Sequence, residues 1–257
     1  MKKIKKIINK KNKTKIVCLT AYSKNIAEIV DDHADIVLVG DSLGSVLYNY
    51  NTTRKVTLNM MIEHTKSARM GVKKCLLVID LPYNTYRNKS EALKNSKKAI
   101  KETKCDAVKV EGGTRVKEIV KHLVKNGIPV LGHIGITPQT TKGKFRSKGK
   151  SEKEIRKLLK DAKDLEQSGA FGIVLECIYS DISKQITSAI NIPTIGIGAS
   201  VNCDGQVLVT DDLIGLNETK FRFVKKFGNI KKDIKSAVIK YKNSVKQKKF
   251  PSKKNSY

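Results

Sequence analysis

The 257-residue chain carries 52 Lys and Arg against 24 Asp and Glu, a formal net charge of +28, and 39% of its residues are hydrophobic. This length and apolar content exclude a disulfide-stapled miniprotein and a chain disordered throughout, and no apolar run approaches the ~20 residues that cross a bilayer. The charge invites a nucleic-acid-binding interpretation, because clustered cations release counterions from phosphates. Only seven cations are Arg, however, and the basic termini contain almost no aromatic residue for base stacking, so we expect a solvated, lysine-rich surface and no nucleic-acid partner.

Short apolar runs rich in β-branched residues alternate with longer segments of helical periodicity along the chain. The predicted strands, in chain order, are 16–20, 36–39, 75–79, 107–110, 129–132, 172–175, 193–197 and 207–209. The predicted helices are 24–31, 58–70, 90–102, 114–126, 152–168, 180–190 and, for the last repeat, 230–246. Gly127 and Gly169 mark two helix ends, and Ser151 with Glu154 forms a predicted capping box.

Eight strands that alternate with helices predict the fold class, α/β with a single (β/α)8 TIM barrel of parallel strands. A chain of about 250 residues is typical of this barrel, and no Pro- or Ser-rich linker interrupts the sequence. We therefore predict one domain over 1–257, with mobile basic tails at 1–13 and 248–257.

The five cysteines bear on the compartment in which the protein works. They are odd in number and form no C-x-x-C pair, which is typical of reduced thiols in the cytosol. The apolar run 16–19 that follows the charged N-terminus is too short for the core of a signal peptide. We predict a cytoplasmic protein that neither spans nor binds a membrane.

Ionisable residues recur at the carboxyl ends of predicted strands that are otherwise apolar. Five consecutive strands, the second to the sixth, deliver such residues: Asp41, Asp80, Lys109 with Glu111, His133 and Glu176. In a parallel barrel these strand ends meet at one face, where the sites of this fold lie. Their recurrence predicts a functional site at that face.

Three of these residues, Asp41, Asp80 and Glu111, are carboxylates that would repel one another unless a proton or a cation neutralised them. Oxygen ligands without a Cys or His cluster favour Mg²⁺, which often binds through one or two carboxylates plus water and substrate. Lys109 lies two residues before Glu111 and so points to the same side of the strand. It could hold a substrate carboxylate or pair with Glu111.

Each residue also has a purely structural interpretation. Asp41 and Asp80 could cap turns, Glu111 could pair with Lys109, and His133 could be a core histidine with satisfied hydrogen bonds. The side chain of Glu176 fits a catalytic acid or base as well as it fits a helix cap.

With these residues placed, the chain resembles the ketopantoate hydroxymethyltransferase family. The matching segments follow the family order from about residue 16 to residue 250: 19–22, 34–44, 107–113, 127–139, 169–177, 192–199 and 203–209. The blocks 132–139, GHIGITPQ, and 204–209, DGQVLV, are the most specific. Accidental agreement over both is implausible.

The resemblance implies a TIM barrel with one Mg²⁺ per subunit. The metal ligands it implies are Asp41, Asp80 and Glu111, the last through water, and the implied substrate contacts are Asp41, Ser42, Asp80, Lys109 and His133. Glu176 matches the proton acceptor. The implied reaction takes a hydroxymethyl group from 5,10-methylenetetrahydrofolate to 3-methyl-2-oxobutanoate through a Mg-stabilised enolate, and gives 2-dehydropantoate and tetrahydrofolate for pantothenate biosynthesis. Family members are cytoplasmic and commonly homodecameric.

Three loops, 47–50, 83–86 and 142–150, depart from the family pattern and leave folate binding open. Two other functions stay open as well. One is a different Mg²⁺-dependent enolate barrel, such as a 2-oxo acid lyase or a phosphonopyruvate mutase-like enzyme. The other is a basic nucleic-acid-binding scaffold without catalysis.

Overall fold

The computed structural model describes residues 2–141, 146–218 and 221–257. Within them, parallel strands β1 to β8 close into a barrel in chain order, each strand pairing with the next and β8 with β1. The strands are β1 Ile16–Thr20, β2 Ile36–Val39, β3 Leu76–Asp80, β4 Ala107–Glu111, β5 Val130–Gly135, β6 Gly172–Glu176, β7 Thr194–Ile197 and β8 Gly205–Leu208. The predicted TIM barrel is confirmed.

The helices of the described residues are α1 Lys2–Ile8, α2 Lys24–Asp31, α3 Leu43–Tyr48, α4 Leu58–Gly71, α5 Lys89–Thr103, α6 Lys117–Lys125, α7 Glu152–Gln167, α8 Ser180–Ala189, α9 Thr210–Leu213 and α10 Ile230–Lys246. Two 3₁₀ turns, Thr53–Lys55 and Gly113–Val116, precede α4 and α6. The sequence pattern did not reveal α1, α3 and α9, because helices of four to seven residues contain too few turns to show a period. No helix in this part of the chain has the length and apolar content to cross a bilayer.

Alternation along β2 shows how the core is divided. Ile36 and Leu38 belong to the apolar cluster inside the barrel, whereas Val37 and Val39 belong to the cluster between the strands and the helices. A strand turns successive side chains to opposite faces, so a strand buried on both faces is apolar throughout. This is why ionisable residues at the strand ends stood out in the sequence.

The N-terminal end of the barrel is closed by α1, which we call the floor. Ile4 and Ile7, one turn apart, are 7% and 3% exposed and join the cluster inside the barrel. Lys11 donates to Asp204 at 2.8 Å. Within the predicted mobile tail at 1–13, residues 2–8 form this helix, whose lysines obscured in the sequence an apolar pair that shields the barrel interior from water.

An aspartate directly before a strand recurs at the N-terminal end of the barrel. Each of three such residues accepts a backbone N–H from the preceding strand: Asp35 from Val17, Asp106 from Leu77 and Asp204 from Thr194, at 2.9–3.0 Å. Asp204 begins the block 204–209 that carries part of the family resemblance. That block therefore has a structural role far from the predicted site.

The chain forms two compact units, Met1–Val209 and Thr210–Tyr257. The first unit contains the complete barrel, and the second contains α9 and α10. The helix predicted at 230–246 is present as α10, and none of its residues is buried. One domain over 1–257, and a mobile tail at 248–257, stay predictions.

Candidate active site

The structure brings the predicted site residues to the carboxyl end of the barrel. Asp80, Glu111 and Glu176 are the last residues of β3, β4 and β6. The strand register places Asp80 beside Lys109 and Glu111 beside His133. Asp41 and Ser42 follow β2 directly, before α3 begins. We call the group Asp41, Asp80, Lys109, Glu111, His133 and Glu176 the carboxyl rim.

Lys109 pairs with the neighbouring strand. Its Nζ lies 2.9 Å from Asp80 Oδ1, and both side chains are buried. Burial by itself lowers the pKa of Lys109, but the charges of Asp80, Glu111 and Asp41 outweigh it and raise that pKa, so the amine stays cationic. The closest partner of Lys109 is therefore Asp80 and not Glu111, the partner that spacing along the strand suggested.

Asp41 lies among like charges. Its backbone N–H donates to Asp80 Oδ2 at 3.0 Å. Burial, and then repulsion from Asp80 and Glu111, raise the pKa of the Asp41 carboxyl above its usual range. At Asp41, the negative charge of the neighbouring acids of the carboxyl rim thus outweighs the positive charge of the cations in the same group.

His133 bridges two carboxylates. Its Nδ1 lies 3.4 Å from Glu111 Oε1, and its Nε2 lies 3.2 Å from Glu176 Oε2. Burial and Lys109 favour the neutral ring, but Glu111 and Glu176 outweigh them and raise the pKa of His133 to about 9. Burial raises the pKa of Glu111, but the contact with His133 outweighs burial and lowers that pKa. The ring of His133 therefore lies between Glu111 and Glu176, and both carboxylates favour its protonated form.

Glu176 is the most accessible acid of the carboxyl rim. Its side chain is 21% exposed, against 1% for Glu111 and 3% for Asp80. The N-cap of α8 is Tyr179, so Glu176 does not occupy the capping position that the structural alternative required. A carboxylate held by a buried histidine and still open to small molecules can exchange protons with a substrate.

Ser42 and Gly40 shape the approach to the carboxylates. Ser42 Oγ lies 2.8 Å from Tyr22 Oη. A Cβ at position 40 would lie 2.9 Å from Ser42 Oγ and 3.5 Å from Asp80 Oδ2. A glycine at position 40 therefore lets Asp80 reach the backbone N–H of Asp41 without displacing Ser42.

The predicted three-ligand metal set is not preformed. Across residues 2–141, 146–218 and 221–257, no three His, Cys, Asp or Glu side chains are arranged as a ready metal site. Asp80 contacts Lys109, and Glu111 contacts His133 and the N–H of Gln139. Mg²⁺ needs only one or two carboxylates and takes its other ligands from water and substrate. The adjacent acids Asp41 and Asp80, with their excess negative charge, fit that requirement.

The sequence pattern missed Gln139, which is 1% exposed and lies in the loop after β5. Its Nε2 donates to Asp41 Oδ2 at 2.8 Å, and Tyr86 Oη donates to its Oε1. Gln139 was visible only as the last residue of the block 132–139. The search for ionisable residues at strand ends passed over it because an amide carries no charge.

Two of the divergent loops surround this network. Tyr86 belongs to 83–86, and Arg54 stacks over Tyr83 with 5.3 Å from its Cζ to the ring centroid. In 47–50, Tyr48 stacks on Tyr50 with 5.5 Å between ring centroids. The third loop is described from Arg146 onward, since 142–145 lie outside the described residues.

A cavity of about 360 Å³ lies beside the segments that follow Glu111 and His133, and no side chain of the carboxyl rim lines it. Its lining comes from the ends of β4 and β5 and from α7, and includes Arg115, Thr140, Lys148, Lys157 and Asp161. Lys157 pairs with Asp161 at 2.5 Å. Neither Arg115 nor Lys148 has an ion-pair partner in the described part of the chain, so both can meet an anion.

Solved structures with a similar fold include members of one of the alternative classes. A phosphoenolpyruvate phosphomutase from Streptomyces platensis subsp. rosaceus has a TM-score of 0.64 and 9% identity, with 96% of this chain and 87% of that chain covered. A phosphonopyruvate hydrolase, solved in complex with oxalate and Mg²⁺, has a TM-score of 0.61 and 9% identity over 99% and 93% of the two chains. At this identity they show the fold alone.

Sequence relatives are far closer. The family model described as ketopantoate hydroxymethyltransferase matches residues 1–253. The 3-methyl-2-oxobutanoate hydroxymethyltransferase of Pelagibacter ubique is 62% identical over 256 residues, which cover 100% of this chain and 99% of that one. The enzyme of the same name from Rhizobium etli is 49% identical, with 92% and 88% covered. The chain therefore belongs to the ketopantoate hydroxymethyltransferase family and is an enzyme that transfers a hydroxymethyl group to 3-methyl-2-oxobutanoate in pantothenate synthesis.

Proposed function

We propose that the enzyme removes the C3 proton of 3-methyl-2-oxobutanoate at the carboxyl rim with the help of Mg²⁺, and that 5,10-methylenetetrahydrofolate donates the one-carbon unit. The observation that carries the proposal is the joint burial of Asp41, Asp80 and Glu111 at the carboxyl end of the barrel, where the backbone N–H of Asp41 lies 3.0 Å from Asp80 Oδ2. A divalent cation offsets such a concentration of negative charge.

Asp41 and Asp80 would hold the metal directly, and Glu111 would reach it through water. When bound, Mg²⁺ would polarise the keto and carboxylate oxygens of the substrate and so lower the free-energy cost of breaking the C3–H bond. The phosphonopyruvate hydrolase of similar fold was solved with Mg²⁺ and oxalate, which carries oxygens on adjacent carbons as a 2-oxo acid does. That parallel supports the metal assignment.

The other residues of the carboxyl rim divide the remaining work. The cationic amine of Lys109 would bind the substrate carboxylate, and Ser42 would contact the substrate beside it. Glu176 would accept the C3 proton, because it is the exposed carboxylate of the group and contacts His133 at 3.2 Å. The Nε2 of His133 would orient the Glu176 carboxylate toward the substrate.

Loss of the C3 proton leaves an enolate whose C3 bonds to the methylene carbon of the folate. That carbon starts with bonds to two folate nitrogens. Both bonds break with their electron pairs left on nitrogen, and the oxygen of water bonds to the carbon as the hydroxyl group. The products are 2-dehydropantoate and tetrahydrofolate. Glu176 can return the C3 proton to one folate nitrogen and water supplies a proton to the other, which balances the reaction.

The proton-removal step can be tested without folate. Deuterium exchange at C3 of 3-methyl-2-oxobutanoate in D₂O, followed by NMR, should require Mg²⁺ and should fall by ~10²–10⁴ in Glu176→Gln. Glu152→Gln on α7 is the matched control, since that side chain is 84% exposed. Unchanged exchange in Glu176→Gln would remove the residue from the role of base.

The cavity beside the carboxyl rim supports the folate assignment. Folate carries a glutamate tail with two carboxylates, and the cavity wall includes Arg115 and Lys148, which have no ion-pair partner among the described residues. Arg115→Ala should raise the KM for methylenetetrahydrofolate by ~10-fold and leave the KM for the keto acid unchanged. A change in the KM of the keto acid alone would contradict this placement.

We also propose that the enzyme is cytoplasmic and assembles into a homo-oligomer, a decamer by resemblance. Support comes from α10, where Ile234, Val238, Tyr241 and Val245 recur at helical spacing and are 43–59% exposed. A continuous apolar stripe on a helix is the kind of surface that a second chain covers. Light scattering after gel filtration should give a multiple of 28.6 kDa, and Val238→Glu should lower it.

A further inference from the structure

We propose that Gln139 is a positioning residue for the metal-dependent step. Its side chain would hold the Asp41 carboxylate, and its backbone N–H the Glu111 carboxylate, in the orientation that the cation and the keto acid require. The inference rests on the proposed function and assigns to Gln139 a role that the carboxyl rim alone does not supply.

The contacts of Gln139 join four loops at the carboxyl end of the barrel. Its Nε2 donates to Asp41 Oδ2 at 2.8 Å, after β2, and to the carbonyl of Leu81 at 3.0 Å, after β3. Its backbone N–H donates to Glu111 Oε2 at 3.3 Å, at the end of β4. Gln139 itself follows β5, so a single residue fixes two carboxylates from different strands.

The orientation of the amide is itself fixed. Tyr86 Oη donates to Gln139 Oε1, which turns the NH₂ group toward Asp41 and Leu81. Arg54 Nε donates to the Gln139 carbonyl at 2.9 Å and holds the backbone. Both amide hydrogens, the side-chain oxygen, the backbone N–H and the backbone carbonyl of this buried residue therefore each have a partner, and the amide cannot turn without leaving donors or acceptors unpaired.

A neutral donor suits this position for an electrostatic reason. A Lys or Arg in place of Gln139 would cancel the negative charge that attracts Mg²⁺, and an acid would add a further repelling charge beside Asp41. The amide instead binds Asp41 Oδ2 without changing the net charge. We assign the other oxygen, Asp41 Oδ1, to the cation.

The test compares Gln139→Met, which keeps the volume of the side chain and removes the donors, with Gln167→Met at an exposed position of α7. Titration of each full-length protein with Mg²⁺ alone, by calorimetry, gives the metal affinity independently of activity. We expect Gln139→Met to weaken Mg²⁺ binding by ~10–100-fold and Gln167→Met to leave it unchanged. Equal affinity in folded Gln139→Met and wild type would overturn the inference.

A second pair of variants keeps the inference testable if Gln139→Met folds poorly. Tyr86→Phe leaves Gln139 in place and frees its amide, so it should weaken Mg²⁺ binding by ~3–10-fold. The double variant should bind no more weakly than Gln139→Met, because Tyr86 acts through Gln139. Unchanged affinity in Tyr86→Phe, or additive losses in the double variant, would contradict this arrangement.

Kinetics separate positioning from a structural role. In Gln139→Met the apparent KM for Mg²⁺ should rise, and kcat should recover at saturating Mg²⁺, whereas a distorted site would lose kcat at every Mg²⁺ concentration. If the wild-type enzyme neither bound Mg²⁺ nor needed it for C3 exchange, the proposed function itself would fail. That outcome differs from one in which wild type and Gln139→Met both bind Mg²⁺ equally well.

Discussion

The two ends of the barrel use carboxylates in opposite ways. At the N-terminal end, Asp35, Asp106 and Asp204 each accept a backbone N–H from the neighbouring strand. At the carboxyl end, Asp41 and Asp80 lie beside each other and beside Glu111, and burial with repulsion raises the pKa of Asp41. The acids at both ends accept fixed donors, but only those at the carboxyl end also repel one another, and that repulsion favours the binding of a cation.

The largest expected effect comes from removing one of the opposed acids. Asp41→Asn should lower Mg²⁺-dependent C3 exchange by at least ~10² while the melting temperature stays equal or rises, because one of three repelling charges is lost. Deuterium exchange and calorimetric melting measure the two quantities. If Asp41→Asn lost much stability but kept its C3 exchange activity, Asp41 would act as a structural acid, like those at the N-terminal end of the barrel.

Asp204→Asn should show the opposite behaviour. Asp204 is 5% exposed and pairs with Lys11 and with the N–H of Thr194, so its replacement leaves the half-buried Lys11 amine without its carboxylate partner and with only the carbonyl of Thr187 as an acceptor. We expect a loss of about 3 kcal/mol in the free energy of unfolding, with Mg²⁺ affinity unchanged. Denaturant unfolding gives the first value, and a shift in metal affinity would contradict the assignment.

The floor offers the next test. Ile7→Ala should lower the free energy of unfolding by about 2 kcal/mol, because Ile7 is 3% exposed in the apolar cluster inside the barrel. Lys2→Ala is the matched control, since Lys2 is exposed on the same helix. Equal stability of Ile7→Ala and wild type would restore the mobile tail that composition suggested.

The smallest effect concerns pH. Asp31 accepts the backbone N–H groups of Lys73, Lys74 and Cys75, which outweigh burial and lower its pKa. A carboxyl whose folded pKa is below the unfolded value of ~3.9 stabilises the fold above that pH, and the effect disappears as pH falls through the folded pKa. Asp31→Asn should therefore cost about 1 kcal/mol at pH 7 and progressively less in acid. A difference independent of pH would contradict it.

The sequence predicted the carboxyl end of the barrel better than the N-terminal end. Asp80, Glu111 and Glu176 interrupt apolar runs, so they were visible, although hydrogen bonding extends each strand to include them. Asp35 and Asp106 stand before such runs, where an acid looks like an ordinary turn residue. Their strand-capping role depends on the register between strands, which local patterns do not contain.

Two features of the candidate site were beyond local patterns for the same reason. Spacing placed Lys109 and Glu111 on one face of β4, but the neighbouring strand supplies Asp80 at 2.9 Å. Gln139 reaches Asp41 across 98 residues of sequence. Both contacts form only when the barrel closes. Without knowledge of the closed barrel, the sequence could identify site residues only by their charge.

The floor has a consequence for how the enzyme is made. Its residues are synthesised before the barrel strands, yet Lys11 and the N–H of Asn12, which follow it, bind Asp204, just before the last strand. Helix α1 can dock through these contacts only after nearly the whole barrel has been synthesised. During translation the isoleucines of α1 stay exposed to water. A fusion partner placed directly before Lys2 would lie next to the end of the barrel that α1 covers.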